Sequence, residues 1–288
     1  MFTSLASILL LGTVAPPPIK PVPRPLPGIE VMNVASPHTI LNNFEMPPLS
    51  ASGVVLIDRA SGQELYAKDP DTERPMASLT KIMTALVLLE TRSMNDILTV
   101  PPIAEQMRGS TLGLKAGERM SAGNALRAVL LPSANDAAYV IAANDPSGMA
   151  GFVHKMNERA QTLGLQHTRF ANPAGLDSPQ QYSSAHDIAW LTLAALKDPA
   201  FASTVQMRFA KIATQEGREF DLRNTNEMLH YNEDVYGVKT GTTDEAKECL
   251  VVLFQEGSRE YLLVLLGSND RYNDGLLVLK ALHEAVQK

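Results

Sequence analysis

The spacing of hydrophobic residues changes twice along the chain, and each change predicts a different kind of element. Residues 53–57 and 64–68 are short β-prone runs that flank a Ser61-Gly62 turn, a pattern that predicts an antiparallel hairpin. Residues 78–90 are apolar on almost every helical face, which is typical of a buried helix. The first part of the folded chain therefore combines an edge hairpin with a helix in the core.

The rest of the chain divides into a helical middle and a strand-rich end. Helical patterns are predicted for residues 124–131, 136–143, 149–163 and 184–196, strands for 235–243, 249–254 and 261–267, and a last helix for 272–286. We therefore predict a mixed α/β fold of the α+β type. Its two end segments pair into one antiparallel sheet, its central helices form a second lobe, and a cleft between the lobes holds the site.

The first 48 residues have a composition unlike the rest. Residues 1–15 contain a short apolar run, too short to cross a membrane, that predicts an export signal or an uncleaved anchor; a cytosolic tail is the alternative. Residues 16–28 contain seven prolines, and the linker of residues 16–48 is predicted to be an extended polyproline II spacer or an unstructured tail. The folded domain is predicted to span residues 49–288, and any membrane association to involve only the N-terminus.

Composition excludes several classes of function. With 25 Lys and Arg against 31 Asp and Glu, the 288-residue chain has a net charge of −6 and no basic block, which argues against nucleic acid as a partner. Its single cysteine excludes an intramolecular disulfide, and its six histidines lack metal-ligand spacing. We therefore expect no metal and no cofactor.

A serine and a lysine stand three positions apart at the start of the predicted buried helix. Positions i and i+3 share a helix face, so the side chains of Ser78 and Lys81 can meet. Lys81 could take the serine proton only if its pKa fell from about 10.4 towards 7, which requires burial or a nearby cation. Taken alone, the pair is more often a helix cap followed by a solvated lysine.

A second motif, Ser133-Ala134-Asn135, falls between two predicted helices. A serine in such a turn can relay a proton, and an asparagine amide can both donate to and accept from a peptide. A helix cap is again the alternative. A similar Ser93-Met94-Asn95 string is rejected because it lies too close in sequence to Ser78 to face it across a cleft.

The third motif, Lys239-Thr240-Gly241-Thr242, lies on a predicted strand. Side chains alternate there, with Lys239 and Gly241 on one face and the two threonines on the other. The missing side chain of Gly241 would let an edge strand approach a substrate backbone, and Lys239 offers a cation that could depress the pKa of Lys81. The alternative is a lysine whose charge only prevents the exposed sheet edge from pairing with another strand.

The three motifs in this order resemble the penicillin-binding protein and serine β-lactamase superfamily. The chain is most similar to the low-molecular-mass D-alanyl-D-alanine carboxypeptidases and endopeptidases over residues 49–288. The further strings that carry this similarity are Leu131-Pro-Ser-Ala-Asn-Asp-Ala-Ala138, Asn172-Pro-Ala-Gly-Leu-Asp177, Gln181-Tyr-Ser-Ser184 and Lys239-Thr-Gly-Thr-Thr-Asp244.

The resemblance implies acyl transfer on peptidoglycan stem peptides by an exported protein of the periplasm or of the outer face of the cytoplasmic membrane. Ser78 would attack the D-Ala carbonyl, Lys81 would be its base, and Ser133 would pass the proton to the leaving amine. Asn135 would orient the peptide. β-Lactams would acylate Ser78.

The resemblance also implies how the substrate is held. Lys239, Thr240 and Gly241 would bind the strand-like peptide, and the backbone N–H groups of Ser78 and Thr242 would form the oxyanion hole. A carboxypeptidase needs a cation for the free C-terminal carboxylate, and both Lys239 and Arg271 are candidates.

Two features separate this chain from parts of the superfamily. Many such carboxypeptidases have a further C-terminal β-domain, whereas this sequence stops after the predicted last helix, as in relatives that tend to be endopeptidases. Class A β-lactamases deacylate through a loop glutamate, and residues 170–181 contain none. A β-lactamase and a catalytically silent muropeptide-binding sensor remain the alternative functions.

Overall fold

The computed structural model describes residues 44–286, which form one five-stranded antiparallel sheet covered by helices, with two separate two-stranded hairpins. The predicted export segment and most of the proline-rich linker lie outside these residues. In chain order the elements are β1 (Gly53–Asp58), β2 (Glu64–Lys68), a 3₁₀ turn (Ala77–Leu79), α1 (Thr80–Thr91), β3 (Ile97–Thr99), α2 (Pro102–Glu105), β4 (Arg119–Ser121), α3 (Ala122–Leu130), α4 (Asn135–Ala143), α5 (Gly148–Thr162), α6 (Ala185–Ala195), α7 (Pro199–Val205), β5 (Phe209–Ala213), β6 (Glu219–Arg223), α8 (Met228–Tyr231), β7 (Val235–Thr243), β8 (Lys247–Glu256), β9 (Arg259–Ser268) and α9 (Arg271–Val286).

The main sheet joins strands from both ends of the described chain. Its order is β2-β1-β9-β8-β7, and every neighbouring pair is antiparallel. The register places Gly53 opposite Leu266 in the β1–β9 pair, and Val54 opposite Lys68 in the predicted hairpin. The predicted fold class is therefore confirmed. Strand β7, which carries the third motif, lies at an edge and leaves one side of its backbone unpaired within the sheet.

Each face of the sheet has its own hydrophobic core because strand side chains alternate between the faces. On β8, Val251 and Leu253 point into the larger core, which also contains α1, α6 and the central helices. Leu250 and Val252 point into a smaller core beneath α9. Helix α1 is buried on nearly all sides, so the motif at its start is held by the packing of the whole larger core.

The described chain already packs against the smaller core at Phe44 and Met46, ahead of the predicted domain start. The four central helices, the three late strands and the last helix lie within about three residues of their predicted limits. The small hairpins β3–β4 and β5–β6 and the short helices α2, α7 and α8 were not predicted. Strands of three residues give no readable alternation, and β5 and β6 bury only one side chain each. Between residues 44 and 286, no helix combines the length and the apolar character that crossing a membrane requires.

Candidate active site

The Ser78 hydroxyl and the Lys81 amine are in contact at the start of the central helix. Ser78 lies in the 3₁₀ turn and Lys81 in the first turn of α1, and their Oγ and Nζ atoms are 2.8 Å apart. The residue before the serine, Ala77, has a φ of 48°, a left-handed conformation that non-glycine residues rarely adopt. Such strain persists where the surrounding packing enforces it and is common at functional sites. Here it turns the chain sharply at the serine.

Lys81 has three oxygen neighbours, a number that fits both the three N–H groups of an ammonium and the two N–H groups and lone pair of a neutral amine. Its Nζ lies 2.8 Å from Ser78 Oγ, 2.8 Å from Asn135 Oδ1 and 2.5 Å from the carbonyl oxygen of Ala174. The amide and carbonyl oxygens carry no hydrogen and can only accept. A neutral amine has two N–H groups for these two acceptors and one lone pair, which is left to accept the Ser78 hydroxyl proton.

The electrostatics of the site favour that neutral form. Lys81 is fully buried, and this burial lowers its pKa well below the usual 10.5. The cation of Lys239 lowers the pKa further, while the nearby carboxylate of Asp136 acts in the opposite direction. The sequence predicted both the burial and the influence of Lys239. It did not predict the opposing carboxylate.

The Ser133-Ala134-Asn135 motif forms the turn between α3 and α4, as predicted. Ser133 has a φ of 63°, and its buried hydroxyl has no hydrogen-bond partner within residues 44–286. Asn135 Nδ2 donates to the Arg108 carbonyl at 2.7 Å, which directs Oδ1 towards Lys81. Both the nitrogen and the oxygen of the Asn135 side-chain amide are thus held by hydrogen bonds, whereas the Ser133 hydroxyl beside it is available to a ligand.

Strand β7 reaches the same site from the sheet edge. Lys239 is buried, and its Nζ donates to the Thr240 carbonyl at 3.0 Å. Burial, together with the charge of Arg271, lowers the pKa of Lys239 to about 7. A Cβ atom at Gly241 would lie 3.0 Å from Ala77 Cβ and 3.0 Å from Ser78 N. The structure therefore adds a second reason for glycine at this position, because its missing side chain makes room for the turn that carries the serine, and the predicted approach of a substrate backbone stays a prediction.

The other face of β7 is tied to the α9 side. Thr240 Oγ1 lies 2.7 Å from Thr225 Oγ1, whereas the exposed Thr242 hydroxyl accepts from Arg271. Arg271 is buried and also donates to the carbonyls of Gly241 and Cys249, at 2.8 and 3.0 Å. An ion pair of 3.2 Å with Glu248 adds to these contacts. Most donors of Arg271 are therefore engaged with the protein, and its guanidinium braces the end of the strand.

One important contact could not be predicted because a backbone group makes it. The Asn172 side chain accepts from the N–H groups of Ala174, Gly175 and Leu176, at 3.1, 2.8 and 3.1 Å. This Asx-type turn aims the Ala174 carbonyl at Lys81. Thr84 Oγ1 fixes the same loop to α1 by donating to the Pro173 carbonyl at 2.7 Å. In the sequence, the string that begins at Asn172 contributes to the family resemblance, but no structural or catalytic role is predicted for it.

Comparison with known proteins agrees with this geometry. The family model described as D-alanyl-D-alanine carboxypeptidase matches residues 41–270. The chain belongs to this family. Within described residues 44–286, no group of three or more His, Cys, Asp or Glu side chains is placed to hold a metal ion.

Individual members of the family include proteins of two named activities. The chain is 34% identical over 224 residues to D-alanyl-D-alanine carboxypeptidase DacF of Bacillus subtilis, a match that covers 76% of this chain and 58% of DacF. It is 33% identical over 227 residues to a D-alanyl-D-alanine endopeptidase of Pseudomonas aeruginosa, covering 77% of this chain and 73% of that protein. The chain thus spans a little over half of the Bacillus relative and about three quarters of the Pseudomonas one.

A solved structure extends the likeness to the fold. The crystal structure of the Streptomyces K15 DD-transpeptidase superposes with a TM-score of 0.78 at 30% sequence identity, and the match covers 83% of this chain and 99% of that one. The penicillin-binding protein fold predicted from the three motifs is therefore confirmed.

Proposed function

We propose that this protein is a serine DD-peptidase that cleaves D-Ala-containing stem peptides of peptidoglycan through an acyl-enzyme on Ser78. The observation that carries the proposal is the set of three oxygen neighbours around the Lys81 nitrogen. Two acceptors orient the amine towards the serine hydroxyl, and burial lowers the Lys81 pKa, which favours the uncharged amine whose lone pair can face that hydroxyl. A base whose pKa is lowered by burial and that is already in contact with its nucleophile is suited to acyl transfer.

The reaction would proceed in two halves. Lys81 accepts the Ser78 proton while the serine oxygen bonds to the D-Ala carbonyl carbon. The carbon–nitrogen bond then breaks as Ser133 delivers a proton to the departing amine, with its own hydroxyl restored from Lys81. Water hydrolyses the resulting ester and regenerates the serine. The amine released is free D-Ala in a carboxypeptidase and the side-chain amine of a neighbouring stem peptide in an endopeptidase.

The same groups would hold the substrate as an added strand. The free edge of β7 can pair with an extended peptide, as in β-augmentation. Asn135 Nδ2, which has one N–H bonded to the Arg108 carbonyl and a second to offer, would donate to the peptide together with the unpaired backbone groups of β7. Thr242, held by Arg271, and the buried cation of Lys239 are suited to a carboxylate. Since the substrate lies outside the cytoplasmic membrane, we propose that the protein is exported.

The test is covalent labelling with fluorescent penicillin, combined with peptidase assays. We expect wild-type protein to be labelled on Ser78, and the Ser78→Ala variant to lose both labelling and peptide cleavage. Ser93→Ala is the matched control because Ser93 is an exposed serine beyond the far end of α1. Peptide cleavage that survives in Ser78→Ala would refute the proposed nucleophile.

A second assay separates the two peptidase activities. Purified protein is incubated with monomeric pentapeptide muropeptides and with cross-linked dimers, and the products are identified by mass. Loss of one alanine from the monomer indicates carboxypeptidase activity, and conversion of dimer to monomers indicates endopeptidase activity. Binding without either product would favour the muropeptide-sensor alternative.

The β-lactamase alternative lacks the loop glutamate through which class A β-lactamases deacylate. The loop of residues 170–181 contains no glutamate, and its Ala174 carbonyl is bonded to Lys81. We therefore expect a chromogenic cephalosporin to give a burst of about one equivalent followed by slow turnover. Sustained rapid hydrolysis of the cephalosporin would favour the β-lactamase function over the DD-peptidase function.

A further inference from the structure

One arginine beside the candidate active site has no partner of its own. Of the arginines between residues 44 and 286, Arg108 and Arg169 make no side-chain hydrogen bond or ion pair with another described residue. Both are exposed. Arg108 alone of the two is bonded directly to a candidate active-site residue, because its carbonyl accepts from Asn135 Nδ2 at 2.7 Å.

The backbone that carries Arg108 is firmly attached to the site. Ser110 accepts from the Asn135 backbone N–H at 2.7 Å, and its hydroxyl donates to the Pro132 carbonyl at 2.5 Å. Between them, Gly109 has a φ of 79°, and a Cβ there would lie 3.2 Å from Asn135 Nδ2. The loop is therefore fixed to the Ser133–Asn135 turn, while the exposed Arg108 side chain makes no hydrogen bond or ion pair with another described residue.

The same loop is clamped from its other end by a buried carboxylate. Asp136 accepts from the backbone N–H groups of Leu112 and Leu114, at 3.0 and 3.1 Å. Because the backbone is fixed, an exposed guanidinium there loses side-chain entropy but little backbone entropy when it binds an anion, and its planar fork matches a carboxylate. A mobile loop would offer the same charge with less selectivity.

We propose that Arg108 binds a second carboxylate of the peptide substrate, so that the protein prefers stem peptides with a free acidic side group over their carboxamide forms. The inference rests on the proposed peptidase function. The C-terminal carboxylate is assigned to the β7 side, where Lys239, Arg271 and Thr242 lie. Arg108 is bonded to the Asn135 side of the site, so the carboxylate that it meets is a different one.

The experiment compares two synthetic pentapeptides that end in D-Ala-D-Ala and differ only in one stem carboxylate or carboxamide. For wild-type protein we expect kcat/KM to favour the acidic peptide by about three- to tenfold, as an exposed ion pair with hydrogen bonds allows. Arg108→Ala should remove this preference, mainly through KM, and leave the carboxamide peptide unaffected. The preference should also shrink as salt is added, because exposed ion pairs are screened.

Matched variants distinguish recognition from damage to the loop. Lys280→Ala removes one exposed positive charge from α9, on the other face of the sheet, and should leave the preference unchanged. Arg108→Glu should reverse the preference. An equal loss on both peptides, or a preference that persists in Arg108→Ala, would overturn the inference. If wild-type protein were not acylated by penicillin and cleaved neither peptide, the proposed function itself would fail, and this inference with it.

Discussion

Replacing Lys239 by methionine should stabilise the protein while impairing the site. The lysine is buried, and burial together with Arg271 lowers its pKa from 10.5 in the unfolded chain to about 7. A lowered lysine pKa means that the folded state resists protonation, so the charged form of Lys239 destabilises the fold. Methionine fills a similar volume without a charge.

The magnitude follows from the two pKa values. Below pH 7 the lysine is protonated in both states and the full cost applies, about 5 kcal/mol at pH 6. Between pH 7 and pH 10.5 the lysine is neutral in the folded protein but still largely protonated in the unfolded chain. The cost of folding is then the free energy of removing that proton, which decreases as the pH rises and is about 2 kcal/mol at pH 9. These figures are upper limits because local relaxation and water entry reduce the cost of a buried charge.

The assay is urea unfolding of wild-type protein and Lys239→Met at pH 6, 7.5 and 9. Methionine also loses the hydrogen bond to the Thr240 carbonyl, which costs about 1 kcal/mol at every pH. We therefore expect the variant to be more stable at pH 6 and its advantage to shrink by pH 9. A difference that does not change with pH would refute the reasoning, because it would show that Lys239 is not a displaced titrating group.

Three further predictions concern the base, the loop and a surface histidine. The rate of acylation by penicillin should fall at acid pH as Lys81 is protonated. In Lys239→Met, the remaining acylation should begin to fall at a higher pH than in wild type, because the cation that lowers the Lys81 pKa is gone. Gly175→Ala should reduce acylation by about 100-fold or more, since its Cβ would lie 2.0 Å from the Ala77 carbonyl oxygen. Gly217→Ala is the control, because Gly217 has a similar φ of 85° but open space around it; it should lower stability by only about 1–2 kcal/mol and leave activity unchanged. His186→Gln should be less stable than wild type at pH 5.5, by under about 1 kcal/mol, and equally stable at pH 9. The Glu64 carboxylate raises the pKa of His186, so the histidine stabilises the fold below pH 6.5 and this stabilisation is lost as the pH rises through the raised pKa. Urea unfolding at both pH values measures the difference.

The sequence predicted those parts of the site that depend on local spacing. Ser78 and Lys81 are three residues apart on one helical stretch, so their contact follows from helix geometry alone. The alternation along β7 likewise predicted that Lys239 and Gly241 share a face, and the structure shows that Gly241 on this face lies against the turn that carries Ser78. The catalytic and substrate-binding roles of these residues stay predictions until the variants are measured.

The remaining parts depend on contacts between distant segments through backbone atoms. The Ala174 carbonyl and the Arg108 carbonyl could belong to any residue type, so no side-chain pattern marks them. What the sequence does contain is the supporting residue, Asn172, whose side chain shapes the turn. Arg271 was predicted as a candidate for the substrate carboxylate, but its use as a brace for the end of β7 depends on carbonyl groups that only the fold brings together.

The pairing of β1 with β9 also determines when the protein can become active. Gly53 meets Leu266 across more than two hundred residues, and the strand that bears Lys239 joins the sheet only through β8 and β9. Closing so long a loop makes assembly slow, and it cannot begin until the last strand has left the ribosome. A chain cut short before β9 would therefore contain the nucleophile and its base yet have no sheet edge beside them. Such fragments should not react with penicillin.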